Sequence, residues 1–207
     1  MLKKALISAS IISALLVTPA SFATEGFFYL GAKGGLETLR AKQTDSVQFD
    51  SAGVSDTVAG GYFGYQVKFS NYFSAALEAE ILSREHELDY TANGIDYQAS
   101  LDSNQSVGVI LKHHYADNVD FNLRFSTVSS EIAINPDSDP TDISTADLNG
   151  YQMGVGFDLM NDSQMTFRLE YVYSNFGEKD LYPSTTNKAN ETAIRSSAIM
   201  LGAHYRF

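Results

Sequence analysis

The sequence predicts an all-β protein, with eight antiparallel strands in an up-and-down meander closed into a barrel that crosses a membrane. Three observations lead to this prediction. Eight segments alternate apolar and polar residues with a period of two, the pattern of strands with one apolar and one polar face. Charged residues fall almost exclusively on one of these faces. The links between the segments alternate between short turns and longer stretches.

The first 23 residues are expected to be a cleavable signal peptide rather than part of the fold. Lys3 and Lys4 precede an apolar run, residues 5–17, and the small-x-small pattern Ser21-Phe22-Ala23 follows it. The run is shorter than the roughly 20 residues that a membrane-spanning helix needs. We therefore expect cleavage after Ala23 and one barrel domain, residues 24–207.

Composition excludes several classes of protein. The formal net charge of -11 argues against binding to nucleic acid, whose phosphates require a basic surface. The chain has no cysteine, which excludes a disulfide framework, a thiolate site and a lipoprotein anchor. No stretch after the signal is apolar for long enough to be a spanning helix, so the chain must cross a membrane with strands.

The predicted strands, in chain order, are residues 28–36, 57–69, 73–90, 95–115, 119–131, 151–160, 165–176 and 193–207. Each has an apolar face, carried in the same order by Phe28 and Leu30, Phe63 and Tyr65, Leu77 and Ile81, Val109 and Leu111, Phe121 and Leu123, Val155 and Phe157, Leu169 and Tyr171, and Ile199 and Leu201. The last strand ends on aromatic residues of its apolar face. A strand that closes a membrane barrel places such residues in an interfacial girdle, so Tyr205 and Phe207 are the predicted barrel-closing and assembly signal.

The lengths of the links between strands predict the orientation of the barrel in the membrane. Ser70-Asn71, residues 116–118 and residues 161–163 have the chemistry of short turns, whereas residues 37–56, 132–150 and 177–192 form long polar links. In outer-membrane barrels the short turns are periplasmic and the long loops extracellular. The remaining link, at Asn93-Gly94, joins segments longer than the 10 or so residues that cross a bilayer. We expect that hairpin to project from the membrane with unpaired strand edges.

A soluble eight-stranded barrel of the lipocalin type is the alternative, with apolar residues inside and charges outside. The distribution of charge distinguishes the two. The polar faces carry Lys33, Glu78, Glu80, Lys112, Arg124, Asp158, Arg168 and Glu170. The opposite faces form an almost uncharged band with aromatic ends, which suits lipid, where a basic residue at mid-depth costs about 2–4 kcal/mol. The membrane barrel is therefore favoured.

Charges inside so narrow a barrel must be paired, because its interior is just wide enough for side chains to fill. The four acids and four bases balance. Glu78 and Lys112 lie on neighbouring strands at similar distances from the short turns. Asp158 and Arg168 flank one tight turn on the same face. We expect pairing within each of these two sets, with exchange of partners across the lumen as a further option.

The chain resembles the transmembrane domain of outer membrane protein A and its small-barrel relatives. The resemblance lies in residues 28–33 (FYLGAK), 120–124 (DFNLR), 167–171 (FRLEY) and the ending Tyr205-Arg206-Phe207. It implies a barrel in the outer membrane of a Gram-negative bacterium, with an internal plug of acids and bases that exchange partners to open a narrow water path. By position, Glu78, Lys112, Asp158 and Arg168 are similar to that gate quartet, with Lys33, Arg124 and Glu170 around it.

Two positions depart from the family pattern: Asp158 replaces the usual glutamate, and Glu80 stands where a small residue is usual. Two hypotheses therefore stay open, a charge set that only holds a packed barrel interior together and a gate for ions or small solutes. The sequence also ends on the closing strand, so we expect a monomeric barrel without the peptidoglycan-binding domain of longer relatives.

Catalysis and specific metal binding are not expected, and no cofactor is. None of the four histidines, His86, His113, His114 and His204, stands two residues from a serine on a strand, as lipid A deacylases require. The acidic stretch 135–142 lacks the glycine and the distal glutamate of a calcium loop. The expected partners are outer-membrane lipids and lipopolysaccharide, the barrel-assembly machinery through the last strand, and an extracellular protein at the projecting hairpin. A structural, surface-presenting role is the first hypothesis for function, with a pore and an adhesin as alternatives.

Overall fold

The computed structural model describes residues 25–43, 52–92, 95–136, 144–160, 164–180 and 191–207. They form eight strands: β1 (Glu25–Gln43), β2 (Ala52–Lys68), β3 (Phe73–Ala92), β4 (Ile95–Ala116), β5 (Val119–Pro136), β6 (Ser144–Met160), β7 (Met165–Asp180) and β8 (Glu191–Arg206). Each strand pairs antiparallel with its neighbours in sequence, and β8 pairs with β1 to close the barrel. The predicted fold class is confirmed. The described residues include no helix that is long and apolar enough to cross a membrane. The predicted signal peptide lies outside the described residues.

One rim of the barrel carries short turns, residues 69–72 and 117–118, and is called the turn rim below. Ser70 closes the first turn: its Oγ accepts the backbone N–H groups of Tyr72 at 3.2 Å and Phe73 at 3.1 Å. Serine in such a turn satisfies backbone donors that lack strand partners. Both predicted turns are therefore confirmed. The third, residues 161–163, lies outside the described residues.

The strands reach further from the turn rim than the sequence indicated. Residues 37–56, 132–150 and 177–192 were expected to be long links, but β1 runs to Gln43, β2 begins at Ala52 and β5 runs to Pro136. β6, β7 and β8 extend into the expected links in the same way. The prediction is wrong at both ends of each link, because the polar outward residues of these extensions look like loop when periodicity is judged by one apolar face alone.

The part of the barrel next to the turn rim, called the membrane half, has the face assignment that the sequence predicts. Its apolar residues point outward and remain exposed, and its charged residues point inward and are buried. The outward apolar and aromatic band ends, strand by strand, at Leu36, Ala59, Ile81, Val107, Phe125, Tyr151, Tyr173 and Ile199. On β1 the band runs from Phe28 to Leu36, which is about 26 Å along the strand and about 20 Å in height at the usual tilt. This height suits an outer-membrane band.

Beyond this band, in what we call the outer half, the polarity of the two faces is reversed. The interior is filled by ten apolar residues, each no more than 5% exposed, which we call the apolar cluster: Leu39, Ala41, Ala99, Leu101, Val128, Ile132, Ile134, Leu148, Phe176 and Ile194. The outward side chains are hydroxyls, amides and charges, for example Ser129 and Glu131 on β5. The outer half is therefore packed like a soluble β-protein, with an apolar core and a polar surface.

The outer half is also divided into two sheets. Among the described residues, pairing between β2 and β3 stops at Val58 and Arg84, although β3 continues to Ala92. Pairing between β6 and β7 stops at Tyr151 and Asn175, although both strands extend further. The outer segments of β7, β8, β1 and β2 thus face those of β3, β4, β5 and β6, and the apolar cluster lies between them.

The expectation for the β3–β4 hairpin is therefore confirmed on one side only. Its β4 edge is covered, because β4 pairs with β5 as far as Tyr97 and Pro136. Its β3 edge, residues 85–92, has no described partner strand on the side that faces β2.

Candidate functional site

The inward side chains of the membrane half form one continuous charge cluster: Lys33, Glu78, Glu80, Lys112, Arg124, Asp158, Arg168 and Glu170. They come from β1, β3, β4, β5, β6 and β7, and each of these residues is 5% exposed or less. Strand alternation places them there, since every second residue points into the barrel. With four acids and four bases, the cluster has no net charge.

Glu78 is at the centre of the cluster. Its Oε1 accepts a hydrogen bond from Nη2 of Arg124 at 2.5 Å, and its Oε2 accepts one from Nη1 of Arg168 at 2.8 Å. The Tyr29 hydroxyl donates a third hydrogen bond to Oε2, also at 2.8 Å. One carboxylate from β3 thus holds together two guanidinium groups, from β5 and β7, which makes Glu78 the residue on which the cluster most depends.

Asp158 holds the second set of contacts. It accepts hydrogen bonds from Nε of Arg168 at 2.9 Å and from Nδ2 of Asn122 at 2.9 Å, and Nζ of Lys112 lies 2.7 Å from its other oxygen. The predicted pairing of Asp158 with Arg168 is therefore found. The predicted pairing of Glu78 with Lys112 is wrong: Lys112 bonds Asp158 instead, because Glu78 is occupied by the two arginines.

Lys33, Glu80 and Glu170 complete the cluster on the side of β1. Arg124 donates from Nε to Glu170 at 2.7 Å, and its Nη1 lies 3.2 Å from Glu80. Lys33 is paired with Glu80 and lies 3.6 Å from the nearer oxygen of Glu170. Glu80, the acid that departs from the family pattern, is thus fully integrated into the cluster. It supplies the charge that balances Lys33.

Inward glycines make room for these long side chains. A Cβ at Gly154 would lie 3.2 Å from Cβ of Arg124 and 3.1 Å from Oε1 of Glu170. A Cβ at Gly202 would lie 3.0 Å from Cβ of Lys33. Both distances are tighter than ordinary van der Waals contact. Glycine on the inner face is therefore a steric requirement of the cluster.

Aromatic residues and a histidine close the cluster toward β1, β2 and β8. Tyr62 bonds Nδ1 of His204 at 3.0 Å, and the ring of Tyr29 lies 4.7 Å from that of His204. The guanidinium of Arg168 lies 5.2 Å from the centre of the Tyr62 ring, within the range of a cation–π contact. Sequence reasoning missed Tyr29 and Tyr62, although both occupy inward positions of their strands. That position was the available signal.

A second buried ion pair lies on the outer side of the cluster and was also missed. Nη2 of Arg84 is 2.9 Å from Glu37. A cavity of about 10 Å³, room for roughly one water molecule, lies between this pair and the charge cluster. Gln152, Ser174 and five apolar residues line the rest of the cavity. The five apolar residues form what we call the middle cluster: Val58, Leu82, Val172, Ala198 and Met200. Between the charge cluster and the outer half the barrel interior is thus mixed, with one ion pair, a few polar side chains and the middle cluster.

The described histidine side chains make structural contacts. His113 packs edge to face against Phe73 at 4.9 Å, outside the barrel. Nδ1 of His114 lies 2.6 Å from Asp120 near the turn rim. The backbone of His86 is in β3, but its side chain lies outside the described set. No group of three or more potential metal ligands occurs among the described residues. The acidic stretch 135–142 is described only at Asn135 and Pro136, at the end of β5.

The predicted closing signal lies on the β8–β1 seam. The backbone N–H of Phe207 donates to the carbonyl of Phe28 at 2.9 Å, which extends the β8–β1 pairing to the last residue. The rings of Tyr205 and Phe207 are 5.2 Å apart and both are exposed on the outer face. The Tyr205 hydroxyl bonds the side chain of Gln164. These aromatic groups are placed where a girdle at the membrane interface would lie.

Comparison with known proteins agrees with this architecture. A family model described as an outer membrane protein beta-barrel domain matches residues 8–207. Among solved structures, the chain is similar to the attachment invasion locus protein Ail of Yersinia pestis, with 14% identity, a TM-score of 0.51, and 86% of this chain and 98% of that chain covered. It is similar to neisserial surface protein A with 14% identity and a TM-score of 0.51, over 87% and 97% of the two chains. No curated protein matches the sequence.

Proposed function

The chain belongs to the outer membrane protein beta-barrel domain family, and from its interior packing we propose that it is a closed, non-conducting barrel of the outer membrane. In this proposal the membrane half anchors the chain in lipid. The two-sheet outer half stands outside the cell and presents the links between its strands. The role is structural and surface-presenting, and the gate hypothesis for the charge cluster is not retained.

The packing of the outer half is the observation that carries this proposal. A path for ions would have to pass the middle cluster and then the apolar cluster, in which Leu148 is 0% exposed and Leu101, Phe176 and Ile194 are 1% exposed. Transfer of an ion through a packed apolar region costs far more than its passage through a charged one. Exchange of partners within the charge cluster would leave that apolar barrier in place.

Single-channel recording tests the proposal directly. The refolded chain from Thr24 to Phe207 in a planar bilayer is expected to be electrically silent, and so is the Arg168→Ala variant, because neither opens the apolar cluster. Reduced gel mobility on boiling serves as the control for folding. Discrete openings of the wild-type barrel that change in Arg168→Ala would contradict the proposal and restore the gate.

Catalysis is not part of the proposed function. Among the described histidines, the ring nitrogens of His114 and His204 bond Asp120 and Tyr62, and neither bonds a serine hydroxyl. A nucleophile and its base need such contact.

Recognition of an extracellular protein is the second candidate function, and the open edge of β3 favours it. An unpaired strand edge presents backbone donors and acceptors to which an extended segment of another protein can pair. In β3 this edge covers residues 85–92, beyond Arg84, the last described residue of β3 that pairs with β2.

Proline substitution tests this second candidate. Glu87 lies in this edge segment with its side chain outward and exposed, so Glu87→Pro would interrupt the regular edge with a residue that has no N–H, while the inward residues of the apolar cluster stay unchanged. Cells that display this variant are expected to lose most of their adhesion to a panel of immobilised extracellular proteins, whereas Glu87→Gln is expected to retain it. Equal adhesion of cells that display the wild type and Glu87→Pro would exclude the β3 edge as the binding site.

A further inference from the structure

Two arginines lie side by side on the outer surface, just beyond the apolar band. Arg40 of β1 and Arg195 of β8 are directly opposite each other in the β1–β8 register, and both side chains are exposed. Directly opposed like charges destabilise a sheet. Among the described residues neither arginine has an ion-pair or hydrogen-bond partner. In the described part of the chain, therefore, no acidic side chain pairs with either of these two positive charges.

The surroundings of the pair make it more unusual. The ring of outward side chains between the apolar band and the outer charges is uncharged, and it consists of Thr38, Ser55, Thr57, Ser83, Ser103, Gln105, Thr127, Ser129, Asn149, Asn175 and Ser197. Further out, the exposed charges are acidic, at Glu87, Asp89, Glu131, Asp147 and Glu178. Among described side chains of the outer half, Arg40 and Arg195 are the exposed bases, in a chain of net charge -11.

The distance of the two arginines from the apolar band places them next to the polar layer of the proposed membrane. Arg40 is four residues beyond Leu36, and Arg195 is four residues from Ile199, the residues at which the apolar band ends on β1 and β8. Four residues correspond to about 13 Å along a strand and about 10 Å in height at the usual tilt. The polar layer of a bilayer extends about 5–8 Å beyond its hydrocarbon core. Long arginine side chains bend back toward that layer while their stems cover apolar surface.

From this placement we propose that Arg40 and Arg195 form a binding site for a phosphorylated lipid head group of the outer leaflet, the phosphate of lipid A in lipopolysaccharide. Two guanidinium groups offer a phosphate paired N–H donors in the geometry that it accepts best. Two neutral residues of this ring, Thr38 of β1 and Ser197 of β8, lie opposite each other next to the pair, on the side toward the membrane. They offer hydroxyls to the sugar of the head group. The site rests on the proposed outer-membrane placement, in which this surface meets the lipopolysaccharide layer.

Binding of lipid A to the refolded chain in detergent micelles tests the site. The affinity of Arg40→Gln/Arg195→Gln for phosphorylated lipid A is expected to fall at least about tenfold, since two charge-assisted contacts are removed. The single variant Arg40→Gln is expected to show a smaller loss. For dephosphorylated lipid A, the wild type and the double variant are expected to bind alike.

The same ring of uncharged outward residues provides a control for net charge. Ser103→Glu/Asn149→Glu changes the net charge by the same two units at exposed positions away from β1 and β8, and it is expected to bind phosphorylated lipid A like the wild type. An equal loss in this control would overturn the site in favour of general charge repulsion. Competition by inorganic phosphate at the concentrations where lipid A binds would overturn the assignment to a lipid. Whether the barrel conducts ions does not affect these measurements of lipid A binding, so the site and the proposed function can fail separately.

Discussion

Glu78→Gln is expected to lower the free energy of unfolding by about 3–5 kcal/mol, the usual cost of removing one partner from a buried ion pair. The glutamine leaves Arg124 and Arg168 without the carboxylate that both of them bond, while each stays buried at 1–2% exposure. The two positive charges then repel each other in a region of low dielectric constant. The chain has no tryptophan, so urea unfolding in lipid vesicles is best followed by far-ultraviolet circular dichroism.

An exposed acid of the same strand provides the matched control. Glu87 lies outward on β3, so Glu87→Gln is expected to change the free energy of unfolding by no more than about 0.5 kcal/mol. If Glu78→Gln were equally mild, the contacts of Glu78 would not hold the cluster together. A second comparison is Lys112→Met, which leaves Asp158 with Arg168 and Asn122 as partners and is expected to cost less than Glu78→Gln.

The membrane half could be predicted from the sequence because one rule determines most of it. Charges are costly in lipid, so in each strand the face that carries them must point inward. That rule placed Lys33, Arg124 and Glu170 correctly, and it recovered the Asp158–Arg168 pair because β6 and β7 are joined by one tight turn. It could not fix the partners of Glu78. Strand position specifies a face and a height, whereas the choice among several cations in reach depends on the lengths and angles of all their side chains.

The outer half was missed although its signal is present in the sequence. On β5 the even residues point inward throughout, but they change from Asp120, Asn122 and Arg124 to Val128, Ile132 and Ile134. The odd residues change from apolar to polar over the same stretch. The reversal looks like the end of a strand when only one apolar face is followed. In the proposed placement it is instead the point where the surroundings of the outer face change from lipid to water, so that the apolar face turns inward. The ring of uncharged outward residues next to Arg40 and Arg195 begins at the same level.

Arginine substitution on β5 would locate this change of solvent. Leu123 and Ser129 both point outward, on the same strand and on either side of the reversal. Leu123→Arg is expected to lower the free energy of unfolding in vesicles by about 2–4 kcal/mol, because its charge would lie near mid-depth in the hydrocarbon. Ser129→Arg is expected to cost less than about 0.5 kcal/mol, because its charge would lie in water. Urea unfolding followed by circular dichroism measures both.

The two substitutions also separate a membrane effect from an effect on the barrel itself. In detergent micelles, which thin and reshape around a charge more readily than a bilayer, the cost of Leu123→Arg is expected to shrink while that of Ser129→Arg stays small. Equal costs for the two variants in vesicles would mean that the outward face of β5 meets one medium along its whole length. The outer half would then stand in lipid with a polar surface, and both the closed-barrel proposal and the phosphate site would lose their basis. A large difference would fix the boundary between Leu123 and Ser129, at the level where the interior of β5 changes from Arg124 to Val128.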